Sequence, residues 1–81
     1  MKNGILPIGS IIRVNNEDLM ICSYFKKDTL YNGERYDYVC CKYPKGISAD
    51  SILVRKDVIQ KVIFIGFQDE RFRLLKEELE S

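Results

Sequence analysis

Lys61 to Phe67 constrains this chain more than any other stretch. Read as a strand, it puts Val62, Phe64 and Gly66 on one side and Ile63, Ile65 and Phe67 on the other. Apolar side chains pointing both ways imply that both faces are covered. A cover for one face follows directly in sequence. From about Asp69 to Glu80, Phe72, Leu75 and Leu79 recur at i, i+3 and i+7 and form one apolar helical stripe. Glu70 near its start suits the helix dipole. Leu74 falls on the opposite side of that helix at 100° per residue.

The preceding chain is punctuated by turn residues. Pro7 and Gly9 make a bend that leads into a first strand, Ser10 to Val14. Asn15-Asn16 tolerates the positive φ of a tight turn, so Leu19 to Phe25 returns as the second arm of a hairpin, long enough to sit centrally in a sheet. Asn32-Gly33 is a second turn pair and precedes a tyrosine-rich strand from Arg35 to Tyr43, which Pro44-Lys45-Gly46 stops. A loop through Asp50 leads to a short strand, Ile52 to Arg55, and Asp57 reads as the N-cap of one helical turn, Val58 to Gln60. The expected fold is α+β and mainly β: a curved antiparallel sheet or small open barrel of four to five strands with a C-terminal α-helix. Residues 1–81 form a single domain, with 1–5 loosely ordered and the helix at about 69–80.

Composition narrows the function classes. Thirteen basic and 12 acidic side chains leave a net charge of +1, which gives no strong field toward nucleic acid or an anionic membrane. The longest apolar run, Val62 to Phe67, falls far short of the roughly 20 residues that span a bilayer. The N-terminus lacks the apolar core of a signal peptide, so the expected location is the cytoplasm. Histidine is absent, which removes the usual partner of a serine or cysteine nucleophile. Gly9-Ser10 does not make a nucleophile elbow, because no glycine follows two residues later and a strand comes next. Cys22, Cys40 and Cys41 are an odd set without disulfide-framework spacing, and they read as reduced, buried, small apolar residues. Three sulfurs do not complete a zinc site. No catalytic, cofactor or metal site is expected. Asp37, the one acid placed mid-strand among apolar neighbours, reads as an edge residue or as the partner of Arg35 or Lys42.

Two binding functions remain. Tyr24, Tyr36, Tyr38 and Tyr43 with Lys26, Lys27, Arg35, Lys42 and Lys45 are similar to the aromatic and basic face on which small barrels stack single-stranded nucleic acid. The weak net charge argues against it. Protein binding fits better, because the apolar residues on both sides of the strands exceed what one 12-residue helix covers. Tyrosine buries a large ring and keeps a polar tip, which suits an interface. The expected contact residues are Met20, Tyr24, Tyr36, Tyr38 and Leu74. A second copy of the chain is left open as the partner.

In order along the chain, Leu6-Pro7-Ile8-Gly9-Ser10, Leu19-Met20-Ile21, Tyr36-Asp37-Tyr38-Val39-Cys40 with Tyr43-Pro44 and Gly46, and Ile59 through Val62-Ile63-Phe64-Ile65-Gly66-Phe67 to Asp69 resemble a known family. It is the small Firmicutes family of domain of unknown function 4176. The resemblance brings no catalytic residues. It implies an accessory role beside LXG-type toxins of the type VII secretion system, as a chaperone or targeting adaptor that holds an effector before export.

Overall fold

The computed structural model describes residues 4–26, 29–45 and 51–80. Their frame is one five-stranded antiparallel sheet in the order β6-β5-β2-β1-β7, with a separate two-stranded ribbon, β3-β4. The strands are β1 (Ile11–Val14), β2 (Glu17–Tyr24), β3 (Leu30–Tyr31), β4 (Glu34–Arg35), β5 (Tyr38–Lys42), β6 (Ile52–Val54) and β7 (Lys61–Phe64). A 3-10 turn at Lys56–Val58 precedes β7, and α1 (Glu70–Glu80) ends the chain. The sheet is open, with β6 and β7 at its edges. The mainly β architecture with a terminal helix is the expected one, in its curved-sheet form and without closure into a barrel.

The turn residues act as their chemistry requires. Asn15 and Asn16 take φ of 52° and 63° and close β1 onto β2, with Val14 opposite Glu17. Asn32 and Gly33, at 53° and 79°, close β3 onto β4 in the same way. Two successive left-handed residues produce the primed turn whose twist matches that of paired strands. The eight-residue β2 takes the central place and pairs with β1 on one side and β5 on the other.

The core lies on one face of the sheet, where Ile12, Leu19, Ile21, Tyr38, Cys40 and Val54 are buried. Alternation explains the selection: Ile12 stands opposite Leu19, Ile21 opposite Cys40, and Tyr38 opposite Val54. The cover over this face differs from the one expected. α1 contains no buried residue, and its stripe of Phe72, Leu75 and Leu79 is only half-buried. Ile5 and Leu6 pack on the core instead, with Ile59. Met1 to Asn3, expected to be loose, lie outside the described residues. Ile5 is tied down, its amide donating to Glu80 Oε2 at 2.8 Å.

Two boundaries move for identifiable reasons. The tyrosine-rich segment is not one strand from Arg35 to Tyr43. It breaks at Tyr36-Asp37, where the Asp37 amide donates to Val54 O (3.0 Å) and Asp37 Oδ2 accepts the Lys56 amide (2.7 Å). Asp37 thus supplies the acceptor for an orphan donor at the start of the 3-10 turn, a role beyond the edge charge or ion pair expected for it. That turn begins at Lys56, so Asp57 lies inside it and makes no cap. Asp69 does act as a cap: its Oδ1 accepts the Phe72 amide at 3.0 Å and α1 starts at the next residue. This bond, with Arg71 beside it, holds the Asp69 carboxyl below its ordinary range.

Candidate functional site

The bend of residues 7–10 is the hinge on which the exposed features turn. Gly9, at φ 93°, donates its amide to Ile21 O (2.8 Å), and Ile21 donates back to Ser10 O (2.9 Å), which fastens the bend to β2. Ser10 is fully buried, and its Oγ accepts the Gly66 amide at 2.9 Å. Gly66 itself is pressed against this bend: a Cβ there would lie 2.4 Å from Ile8 O. The close approach ends β7 and turns the following chain toward α1.

Around this junction the surface is apolar. Ile63, Phe64, Ile65 and Phe67 are all exposed, Phe64 by 60%, Ile65 by 53% and Phe67 by 78%. Two clefts flank them. Ile63 and Phe64 share one with Gly9, Ile11, Asp18, Met20 and Tyr43. Phe67 shares the other with Ile8, Tyr24, Asp69, Arg71, Phe72 and Leu75. The expectation that both faces of Lys61 to Phe67 are covered is thus overturned: among the described strands β7 lies at the edge, paired only with β1. An edge strand that is apolar on its open side is an unusual surface for a lone chain.

The five residues expected to form a contact surface do not come together. Tyr38 is corrected outright, since none of its surface is exposed. Its hydroxyl accepts the Leu6 amide at 3.0 Å, while the Tyr24 hydroxyl donates to Leu6 O at 2.5 Å. The two rings lie 5.9 Å apart and clasp the N-terminal segment onto the core. Burial pushes both phenols up, each to about 12. Tyr24 keeps one edge in the Phe67 cleft. Met20, half-buried in β2, lines the Phe64 cleft. Tyr36 sits elsewhere, 5.9 Å from the Phe25 ring and with the Arg55 guanidinium 5.6 Å above it. Leu74, 54% exposed, lies on the outer side of α1 as its periodicity required.

Sequence reasoning missed Phe64, Ile65 and Phe67 as surface residues. Their signal, apolar side chains on both sides of one strand, was legible, but it reads identically for an interior strand and for an edge strand awaiting a partner. The aromatic and basic face fares differently. Tyr24 and Tyr38 spend their rings on each other, and Lys42 lies 3.8 Å from Glu17. Lys27 of that set lies outside the described residues, as do Gly46 and the loop to Asp50. Among the described residues no group of three Cys, Asp or Glu side chains is arranged to hold a metal ion. No helix among them is long and apolar enough to cross a membrane.

A family profile, that of a domain of unknown function (DUF4176), matches residues 5–74. The chain belongs to the DUF4176 family. In this DUF4176 domain the segments that carry the likeness build the fold: Ser10 and Gly66 lock the bend, Asp37 caps the 3-10 turn, Tyr38 clasps Leu6, and Asp69 starts α1. No curated protein and no solved structure matches the chain.

Proposed function

We propose that this DUF4176 chain is a non-enzymatic protein-binding module that takes its partner along β7 and the following segment to Phe67. One observation carries the reading: four large apolar side chains within five residues, Ile63, Phe64, Ile65 and Phe67, stand exposed at the open edge of the sheet. Burying such side chains contributes roughly 1.5 to 3 kcal/mol each, so a partner has most to gain there. Met20 and Tyr43 extend the surface on one side, Ile8 and Tyr24 on the other. The open edge also leaves backbone free to pair with an added strand. The type VII resemblance suggests the partner: an LXG-type effector or a secretion component, held by this chain as a chaperone or targeting adaptor in the cytoplasm.

The test is co-purification with the products of the neighbouring genes, followed by Phe64→Ala and Phe67→Ala. Each is exposed, so folding should survive, and loss of a central anchor should weaken binding by about 2 kcal/mol, roughly thirtyfold. Undiminished binding by the double variant would discard this surface. Raising the salt separates the single-stranded nucleic-acid reading, since contacts to phosphates weaken steeply with ionic strength and apolar contacts do not.

A further inference from the structure

Three thiols occur in this chain, and two of them meet. Cys40 belongs to the Tyr38 core, so strand alternation places its neighbour Cys41 on the other face of the sheet. There Cys41 stands opposite Met20. The ladder between β2 and β5 slips between Ile21 and Ser23, which leaves Cys22 as the extra residue of a bulge. The outcome is a contact of 3.1 Å between Cys22 Sγ and Cys41 Sγ, both as free thiols. Closing it to a disulfide of about 2.05 Å asks for a movement of about 1 Å, which side-chain rotation at an unpaired bulge residue can supply.

We infer that Cys22 and Cys41 are a reversible dithiol site, oxidised to an intramolecular disulfide by exchange with a low-molecular-weight disulfide. Cys22 is half-buried and Cys41 buried, so Cys22 attacks first. Its thiolate bonds to one sulfur of the reagent and expels the other half as a thiolate. Cys41, deprotonated in turn, attacks Cys22 Sγ and expels the second half. Two protein thiols have then lost two protons and two electrons, and the reagent has become two thiols. Burial and the neighbouring Cys41 push the Cys22 thiol up to about 11, so its attack is slow near neutrality and faster as pH rises. Cys40 is excluded because its sulfur points into the opposite face, where burial pushes it to about 12. The bond would clasp the central strand β2 to its neighbour β5 beside Met20.

The experiment incubates the folded chain with oxidised glutathione at about pH 8.5, where more thiolate is present, then quenches with acid and counts free thiols by alkylation and intact mass. The expected result is a fall from three free thiols to one, reversed by dithiothreitol. Cys40 and Cys41 are adjacent, so variants assign the bond: Cys40→Ala should still form it, and Cys22→Ser and Cys41→Ala should not. A mixed glutathione adduct that persists on Cys22 would overturn the inference. So would a disulfide that needs Cys40, or three surviving thiols under conditions that oxidise the urea-unfolded chain.

Discussion

Replacing Gly66 by alanine tests the packing that places the exposed segment. The added methyl carbon would stand 2.4 Å from Ile8 O, 2.9 Å from the Gly9 carbonyl carbon and 2.9 Å from Ser10 N. Comfortable heavy-atom contacts begin near 3.5 Å, so about an ångström must be found. All three atoms are backbone, and the bend that holds them is fastened to β2 through the Gly9 and Ile21 amides. The segment after Phe64 must therefore retreat, and in doing so it loses the bond from the Gly66 amide to the buried Ser10 hydroxyl. Overpacking costs about 1 to 3 kcal/mol and a stranded buried polar pair about as much, which puts the loss at roughly 2 to 6 kcal/mol. A domain of 81 residues holds only about 5 kcal/mol or slightly more. Urea unfolding followed by tyrosine fluorescence suits a chain without tryptophan. With a slope near 1 kcal/mol per molar, the midpoint should fall by about 2 M or more, or the variant should not fold. Gly33→Ala is the reference: its site has open space but a φ of 79°, so backbone strain alone should cost about 1 to 2 kcal/mol. If Gly66→Ala proves no more damaging than Gly33→Ala, the close approach is wrong.

Two further expectations follow from the core. The folded state raises the Tyr38 phenol from 10 to about 12 and the Cys40 thiol from 9 to about 12, chiefly by burial, so each binds its proton more tightly folded than unfolded. Their contribution is complete below the unfolded values and is lost as pH climbs through the folded ones; stability should decline from about pH 9 to 12, by about 3 kcal/mol for Tyr38 alone. Tyr38→Phe should remove part of that slope while costing about 1 to 3 kcal/mol at neutral pH by leaving the Leu6 amide unpaired, and a flat wild-type profile in alkaline unfolding experiments would contradict both statements. Asp37→Ala should cost about 1 to 2 kcal/mol and speed amide exchange at Lys56, whereas Asp37→Asn, which keeps an acceptor oxygen, should recover much of the loss; unchanged exchange in the alanine variant would remove the cap from the account.

Legibility followed the range of the forces involved. Asn15-Asn16 and Asn32-Gly33 announced their turns because positive φ is a property of single residues. The Phe72, Leu75, Leu79 stripe announced α1 because helical periodicity spans only a few residues, although the capping role of Asp69, counted there as the first helical residue, emerged only from its bond to the Phe72 amide. Asp37 misled because its partner, Lys56, lies 19 residues away and alternation along one strand carries no trace of it. Tyr38 misled more instructively: a tyrosine with its hydroxyl in solvent and one with its hydroxyl on a buried amide look the same until Leu6 is placed over the sheet.

The sequence by itself determined a small, mainly β chain with these turns, a terminal helix, no histidine for acid-base work, and more apolar surface than one helix covers. Tertiary structure alone decided that β7 lies at an edge, that the N-terminal segment covers the core, and that Cys22 meets Cys41. The division has one cause. Turn propensity and amphipathic period are set by neighbours along the chain, whereas exposure depends on which strand finds no partner, and that is settled only when all of them have paired.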